Sequence, residues 1–282
     1  MRLFSHFCIL ALFQRATVKR GWVANRLMVG DPLLKLSSDT GLRQGGSRVP
    51  PAPIYSLLLR IGPVILKSIF RISTRGTERL AKRGPVILAG NHVSHVDPIL
   101  KIVAARRTVR FLSKAEHFTN WFTRIVMITT GQLETRRETG GKEGIAQAVE
   151  VLEKGGMMGI FPEGTRSKKE NPPYLQRGKT GVARLAATFP DVPVHPIALL
   201  GAREMLTPGS SKFRRKSPLT ISVGQSVTWR EWITHPNGGS MDDTALNDLV
   251  SSKEEVRKEH LAVLYRRFTD QLMGSIQALG AP

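Results

Sequence analysis

Short apolar segments alternate with segments of helical periodicity from residue 84 onward, and this alternation constrains the fold more than any other feature. The apolar segments have the length of buried strands. They are GPVILAG (84–90), TVRFLSK (108–114), MMGIF (157–161), VPVHPIAL (192–199) and LTISVG (219–224). Between several of them lie segments whose apolar residues have helical spacing, most clearly residues 140–156 and 178–189. The pattern predicts an α/β fold, a single layered domain with a largely parallel central sheet flanked by helices.

Composition and periodicity divide the 282 residues into three parts. Residues 1–53 are interpreted as an N-terminal extension and linker, of low order or acting as a weak anchor, because 29–53 are rich in glycine, proline and serine. Residues 54–230 are expected to form the main domain. Residues 231–282 are expected to form a C-terminal extension whose principal element is an amphipathic helix.

The segment 54–70 is strongly apolar, but it is interrupted by Arg60, Pro63 and Lys67. A helix that lies in a membrane interface would use such basic residues to meet anionic headgroups. A helix packed on the domain would show the same composition. Both interpretations of this segment stay open at the level of sequence.

The chain is strongly basic, with 42 Lys and Arg against 22 Asp and Glu and a net charge of +20. Such a field attracts anions: nucleic acid, anionic lipid, phosphorylated substrates or an acidic carrier protein. Aromatic residues make up only 6% and are not interleaved with the basic residues as stacking platforms would be, so nucleic acid is not an expected partner. The single cysteine, Cys8, rules out an internal disulfide framework.

The segment NHVSHVDP (91–98) follows a predicted strand and holds the candidate pair His92 and Asp97. Asp followed by Pro98 is also a common helix start, with Asp as the N-cap. Five residues apart on one helix, the two side chains would point about 140° apart. A working pair therefore requires His92 on the loop and Asp97 at the mouth of the helix, so that both interpretations of Asp97 are compatible.

The segment FPEGTRS (161–167) also follows a predicted strand, at the carboxyl edge where open α/β sheets place their ligands. Gly164 lets the backbone approach a ligand closely, Thr165 supplies a hydroxyl, and Arg166 supplies a fork of donors suited to phosphate. A solvated turn is the alternative. The segment GQLETRR (131–137) ends in two further arginines, which are candidate phosphate ligands of lower specificity.

Together, NHVSHVDP, GQLETRR, FPEGTRS and VPVHPIAL resemble, in order and spacing, the four sequence blocks of the glycerolipid acyltransferases with the His-x4-Asp motif. The chain is most similar to the 1-acylglycerol-3-phosphate (lysophosphatidic acid) acyltransferases, over about residues 70 to 228. The second block departs from the family pattern, because Arg136 stands where an acidic or small residue is usual. Counted from Gly131, Arg137 fits the family's arginine position.

The resemblance implies an O-acyltransferase that transfers a fatty acyl group from acyl-CoA or acyl-carrier protein to the hydroxyl of lysophosphatidic acid, giving phosphatidic acid. In that reaction His92 is the implied general base and Asp97 orients it. The implied ligands of the acceptor's phosphate and glycerol backbone are Arg137, Glu163, Gly164, Thr165 and Arg166. Glu163 would repel phosphate directly, so it is expected to orient Arg166 or a hydroxyl. No metal or redox cofactor is expected.

The same resemblance implies a membrane surface as a partner and a location on the cytoplasmic face of a membrane, held peripherally or by an interfacial anchor. Two alternatives remain at the level of sequence. The acceptor could be another lysophospholipid, a lyso-ornithine lipid or a glycolipid. The chain could also be a basic nucleic-acid or membrane-binding module without catalysis.

Overall fold

A computed structural model of the chain describes residues 30–42, 52, 55–119, 121–135, 142–207, 212–214 and 217–282. The strands are β1 (Ile72–Arg75), β2 (Val86–Gly90), β3 (Val109–Lys114), β4 (Leu133–Thr135), β5 (Met157–Ile160), β6 (Val194–Leu200) and β7 (Leu219–Val223). The helices are α1 (Pro32–Leu36), α2 (Tyr55–Ile69), α3 (Asp97–Ala105), α4 (Glu116–Thr119), α5 (Trp121–Thr129), α6 (Lys142–Glu153), α7 (Gly181–Thr188), α8 (Ala202–Met205), α9 (Trp229–Thr234), α10 (Asp243–Ser251) and α11 (Glu254–Ala278).

These strands form one seven-stranded sheet in the order β1-β7-β6-β2-β5-β3-β4. Strands β2 to β6 are parallel to one another, and β7 pairs antiparallel with β6. Strand β1 lies at the edge of the sheet and pairs parallel with β7. Strand β2 lies in the middle of the sheet and is buried along its whole length. The predicted α/β class with a largely parallel sheet is confirmed.

Two apolar cores cover the two faces of the sheet, as expected when helices pack on both sides. One core joins the sheet to α6, α7, α9, α10 and α11, with Phe268 and Trp232 at its centre. The other joins it to α3 and to the end of α2, through Leu100 and Phe70. The helix predicted within 231–282 is present as α11, and it packs on the first core.

Part of the predicted linker is packed, which contradicts the low order expected there. Helix α1 and the 3-10 turn that follows it bury Leu33 and Leu36 against the first core, the one that contains Phe268 and Trp232. Asp31 also pairs with Arg230, and Asp39 pairs with Arg257. The segment was predicted to be a linker because turn-forming residues surround its leucines, and composition does not show that these leucines pack on a core. The rest of 1–53, apart from residues 30–42 and Ala52, lies outside the described residues.

Helix α2 confirms the helical character of the segment 54–70 and contains Pro63 in its interior. Tyr55 anchors its start, because the buried Tyr hydroxyl donates to the carbonyl oxygen of Val109. The side of α2 that does not pack on the domain exposes several apolar side chains. Within the described part of the chain, no helix is both long and apolar enough to cross a membrane.

Candidate active site

The two candidate motifs meet at one edge of the sheet because they follow neighbouring parallel strands. Ala89 in β2 lies opposite Ile160 in β5, so both strands end at nearly the same level. His92 comes two residues after the end of β2, and Phe161 comes directly after the end of β5. This is the carboxyl edge at which open α/β sheets place their ligands.

His92 and Asp97 form a direct contact, with 2.8 Å between His92 Nδ1 and Asp97 Oδ2. An ionised carboxylate can only accept, so Nδ1 carries the proton and donates it to this bond. The tautomer leaves Nε2 as the acceptor of the imidazole. The His92 side chain keeps 18% of its surface exposed, whereas Asp97 is completely buried. The pair can therefore take a proton from a bound molecule while its orienting carboxylate stays out of water.

Asp97 also closes the loop that brings His92 back towards the helix. Its Oδ2 accepts hydrogen bonds from the backbone amides of Val93 and Ser94, at 2.7 and 2.8 Å. Asp97 is the first residue of α3 and not its N-cap, which is Val96. The N-cap interpretation is thus wrong in detail: the carboxylate binds the amides of the preceding loop, and it fixes that loop around the imidazole.

Glu163 joins the two motifs through the backbone. One carboxylate oxygen accepts from the amide of His92 at 2.7 Å, and the other accepts from the backbone amide of Gln176 at 3.0 Å. The side-chain amide of Gln176 donates to the same oxygen. The expectation that Glu163 orients Arg166 or a hydroxyl is not met, since its carboxylate binds two backbone amides and the side-chain amide of Gln176. Burial raises the pKa of Glu163, and these hydrogen bonds oppose that rise.

Two further contacts lock His92 to the segment after β5. The backbone amide of Ser167 donates to the carbonyl oxygen of His92 at 3.0 Å. The ring of Phe161 stacks on the imidazole, with 4.0 Å between ring centroids and 18° between planes. The His92 residue is therefore held on three sides by FPEGTRS, which a sequence comparison of the two motifs does not reveal.

Gly164, Thr165 and Arg166 form the turn that follows Glu163. Gly164 has φ of +72°, a backbone conformation that favours glycine, and a Cβ there would lie 2.9 Å from Lys179 Nζ. Burial lowers the pKa of Arg166, while the charge of Asp97 acts in the opposite direction. The guanidinium of Arg166 is therefore close enough to the His92–Asp97 pair for its charge to interact with that of Asp97. Lys179, which the motifs did not indicate, adds a second cation beside the turn.

The electrostatics of the site favour a neutral imidazole. Burial is the largest influence and lowers the pKa of His92 below its usual range. The hydrogen bond to Asp97 raises that pKa, and the charges of Lys101 and Arg166 lower it further. A neutral His92 with a free Nε2 is the form that a general base needs at neutral pH.

Three other residues of the sequence motifs can be placed or set aside. The Ser94 hydroxyl is buried and donates to the carbonyl oxygen of Leu206, so it is not directed at the imidazole as a nucleophile would be. His195 is buried in β6, where its Nδ1 lies 3.1 Å from the carbonyl oxygen of Gly224, so it is a histidine of the sheet interior. Arg137 lies outside the described residues, so its predicted role stays a prediction.

Residues 71–200 match the acyltransferase family model, and this range holds the whole of the site described above. The resemblance inferred from the four sequence blocks is confirmed. Among similar proteins, a 1-acyl-sn-glycerol-3-phosphate acyltransferase of Borreliella burgdorferi is 30% identical over 127 residues, which cover 42% of this chain and 51% of the relative. One of Bacillus subtilis is 26% identical over 170 residues, which cover 59% and 82%.

A 1-acyl-sn-glycerol-3-phosphate acyltransferase of Chlamydomonas reinhardtii is 27% identical over 186 residues, 65% of this chain and 53% of the relative. The chain thus spans about half the length of several curated relatives that it matches. The crystal structure of the 1-acyl-sn-glycerophosphate acyltransferase of Thermotoga maritima superposes with a TM-score of 0.50 at 22% identity, covering 75% of this chain and 80% of that one. This superposition establishes a shared fold.

Proposed function

We propose that the protein is an O-acyltransferase that transfers a fatty acyl group from acyl-CoA or acyl-carrier protein to the hydroxyl of lysophosphatidic acid. The observation that carries the proposal is the joining of the His92–Asp97 pair to the segment 161–167 by two hydrogen bonds of the His92 backbone and a ring stack. A proton acceptor and a cationic turn thereby lie at one sheet edge. The names of the relatives support the acceptor.

In the proposed reaction, His92 Nε2 accepts the proton of the acceptor hydroxyl as the oxygen attacks the thioester carbonyl. An alcohol is a poor nucleophile at neutral pH, and a placed general base contributes about 10²- to 10⁴-fold to such a step. Asp97 holds the Nδ1 proton and stabilises the imidazolium that forms. The C–S bond then breaks, and the thiolate takes the proton from His92, so that an ester and a free thiol leave.

The acceptor's phosphate is proposed to bind at the turn that contains Arg166. A guanidinium offers paired donors that match phosphate oxygens. Gly164 is exposed, and the side chain of Lys179 lies over it and adds positive charge to this turn. Arg137 is proposed as a further phosphate ligand, as the sequence resemblance implies. The roles of Gly164 and Thr165 as acceptor ligands are part of the same proposal, whereas Glu163 acts by holding the backbone.

The deciding experiment uses the purified chain with an isotopically labelled acyl donor and lysophosphatidic acid, followed by mass spectrometry of the lipids. We expect labelled phosphatidic acid. A panel of other lysophospholipids, a lyso-ornithine lipid and a glycolipid, tested with the same donor, decides between acceptors. Absence of thioester consumption with every acceptor, together with tight binding to nucleic acid at physiological salt, would instead support a non-catalytic basic module.

Arg166→Ala is expected to raise the KM for lysophosphatidic acid about tenfold or more, because a hydrogen bond to a charged group contributes about 1.5–3 kcal/mol. The KM for the acyl donor should change much less. Steady-state kinetics with each substrate varied in turn measure both values. Arg267→Ala is the matched control, since Arg267 is exposed on α11. An unchanged acceptor KM in Arg166→Ala would remove Arg166 from the phosphate site.

We also propose that α2 rests on an anionic membrane surface at the cytoplasmic face. Five apolar side chains of this helix are exposed by 43% or more: Leu57, Ile61, Val64, Ile65 and Ile69. Their spacing places them along one side of the helix. Arg60 and Lys67 are exposed on the same helix, where they can meet anionic headgroups.

Val64→Glu is expected to lower affinity for phosphatidylglycerol vesicles about tenfold or more, since it places a charge in the apolar stripe. Co-sedimentation of the full chain with vesicles measures the change. Val263→Glu is the matched control, because Val263 is 67% exposed on α11, compared with 69% for Val64. Equal losses in the two variants would contradict a specific role for α2.

A further inference from the structure

Lys101 is a fully buried lysine beside the proposed active site. It lies on α3, one helical turn after Asp97, and its side chain has no exposed surface. Burying an ammonium group is costly unless charges and hydrogen bonds compensate. The expected place of a lysine is the surface. The position therefore indicates that the cation has a local task, and neither sequence motif contains it.

The Lys101 ammonium binds the end of β5. It donates to the carbonyl oxygen of Ile160 at 2.9 Å and lies 3.7 Å from the centroid of the Phe161 ring. The same ring stacks on His92. Lys101 thus contacts Phe161, the residue that supports the imidazole and that directly follows β5. Gly90 gives it room, since a Cβ there would lie 3.0 Å from Lys101 Cε.

Asp97 supplies a reason for a cation at this position. Three donors converge on its Oδ2, whereas its buried Oδ1 has no hydrogen-bond partner. A buried carboxylate in that state needs positive charge nearby. The charges of two buried carboxylates, Asp97 and Glu163, both act on Lys101 and favour its charged form.

We propose that Lys101 is a positioning residue for acyl transfer, which holds Phe161 against His92 and supplies the charge that keeps the His92–Asp97 pair in its working state. The inference rests on the proposed function and deepens it. Lys101 touches no substrate, because it is enclosed by α3, the end of β2 and the end of β5. It acts through the ring and through its electric field.

The field of Lys101 has a predictable sign. Among the charged groups that act on His92, Asp97 raises its pKa, while Lys101 and Arg166 lower it. The charge of Glu163, in the segment after β5, acts on Lys101. Burial lowers the pKa of Lys101 to about 7, with the two carboxylates opposing the change. Lys101 is therefore charged on the acid side of neutrality, where protonation of His92 would stop the general base.

Lys101→Met removes the charge and retains an unbranched apolar side chain. In this variant we expect the pKa of His92 to rise, because the charge of Lys101 lowers that pKa in wild type. Nitrogen-15 NMR titration of the imidazole measures it without any substrate. Lys154→Met is the matched control, because Lys154 is exposed beyond the end of α6 and pairs with Glu150. It should leave the His92 titration unchanged.

The pH profile of acyl transfer gives an independent readout. In Lys101→Met the acid limb of kcat/KM should move upward with the pKa of His92, so that the rate at pH 6 falls up to about tenfold relative to wild type. The KM for both substrates should stay unchanged, since Lys101 contacts neither. A merely structural role would lower Tm and leave both the His92 titration and the shape of the pH profile as in wild type, and that result would overturn the proposal.

Phe161→Leu provides a second test that keeps the Lys101 charge, and it serves if Lys101→Met does not fold. It removes the ring that contacts both Lys101 and His92. We expect kcat to fall about tenfold with KM unchanged, and an unchanged kcat would overturn the positioning role. If wild type transfers no acyl group, the proposed function fails by itself. The NMR titration of Lys101→Met then still decides whether Lys101 controls the basicity of His92.

Discussion

His92→Ala is expected to reduce kcat for acyl transfer by about 10⁴-fold, at the upper end of what a placed general base contributes. The imidazole is the group at the sheet edge that has both an orienting carboxylate and an exposed ring face, so no neighbour replaces it. Steady-state rates with labelled donor and lysophosphatidic acid measure the loss. Circular dichroism and Tm check that the fold persists.

His260→Ala is the control for this variant, because His260 is exposed on α11 and takes no part in the site. Its kcat should match wild type. If His92→Ala retains full activity while folded, the assignment of the general base is wrong, and with it the mechanism. Loss of activity together with loss of the folded state would leave the rate to be measured in His92→Gln, which keeps a polar side chain on the loop.

Asp97→Asn is expected to lower kcat by about 10²- to 10⁴-fold, in the range found when the orienting carboxylate of a base is replaced by its amide. The amide cannot hold the Nδ1 proton as a carboxylate does, and three donors converge on Oδ2. Because Asp97 raises the pKa of His92, its removal should move the acid limb of kcat/KM to lower pH. The pH profile measures both effects at once.

This shift is opposite in sign to the one expected for Lys101→Met, so the two variants test the electrostatics of one imidazole from both sides. Asp248→Asn is the control, since Asp248 is exposed on α10. An Asp97→Asn variant with wild-type kcat would show that the carboxylate only closes the loop. A variant that does not fold would show that the same loop contributes to stability, and Asp97→Glu would then test the requirement for charge.

The sheet could be predicted from sequence because its strands are short apolar runs bounded by turns, and β2, buried on both faces, is the clearest of them. Strands β1 and β4 were not recognised, since four and three residues are too few for a period to show. Residues 31–42 were misjudged because Leu33 and Leu36 need a distant surface to pack on, and local composition carries no signal of that surface.

The sequence predicted that the two motifs meet at one sheet edge, but not which atoms of them are in contact. His92 and Asp97 are close in sequence, so their contact follows from one loop. Glu163 was placed correctly at the sheet edge, but its bond to the His92 amide depends on the register of β2 with β5, which the sequence does not state. Lys101 escaped notice for a similar reason: only the packed structure shows that a lysine of α3 points inward.

The backbone of His92 is bonded on both sides to the segment after β5: its amide to Glu163 and its carbonyl to the amide of Ser167. The two motifs therefore form one structural unit and not two independent segments. A chimera that moves NHVSHVDP alone into a related scaffold keeps the carboxylate contact but depends on the host for the other two bonds. Engineering of acceptor preference in this chain should accordingly exchange both loops together.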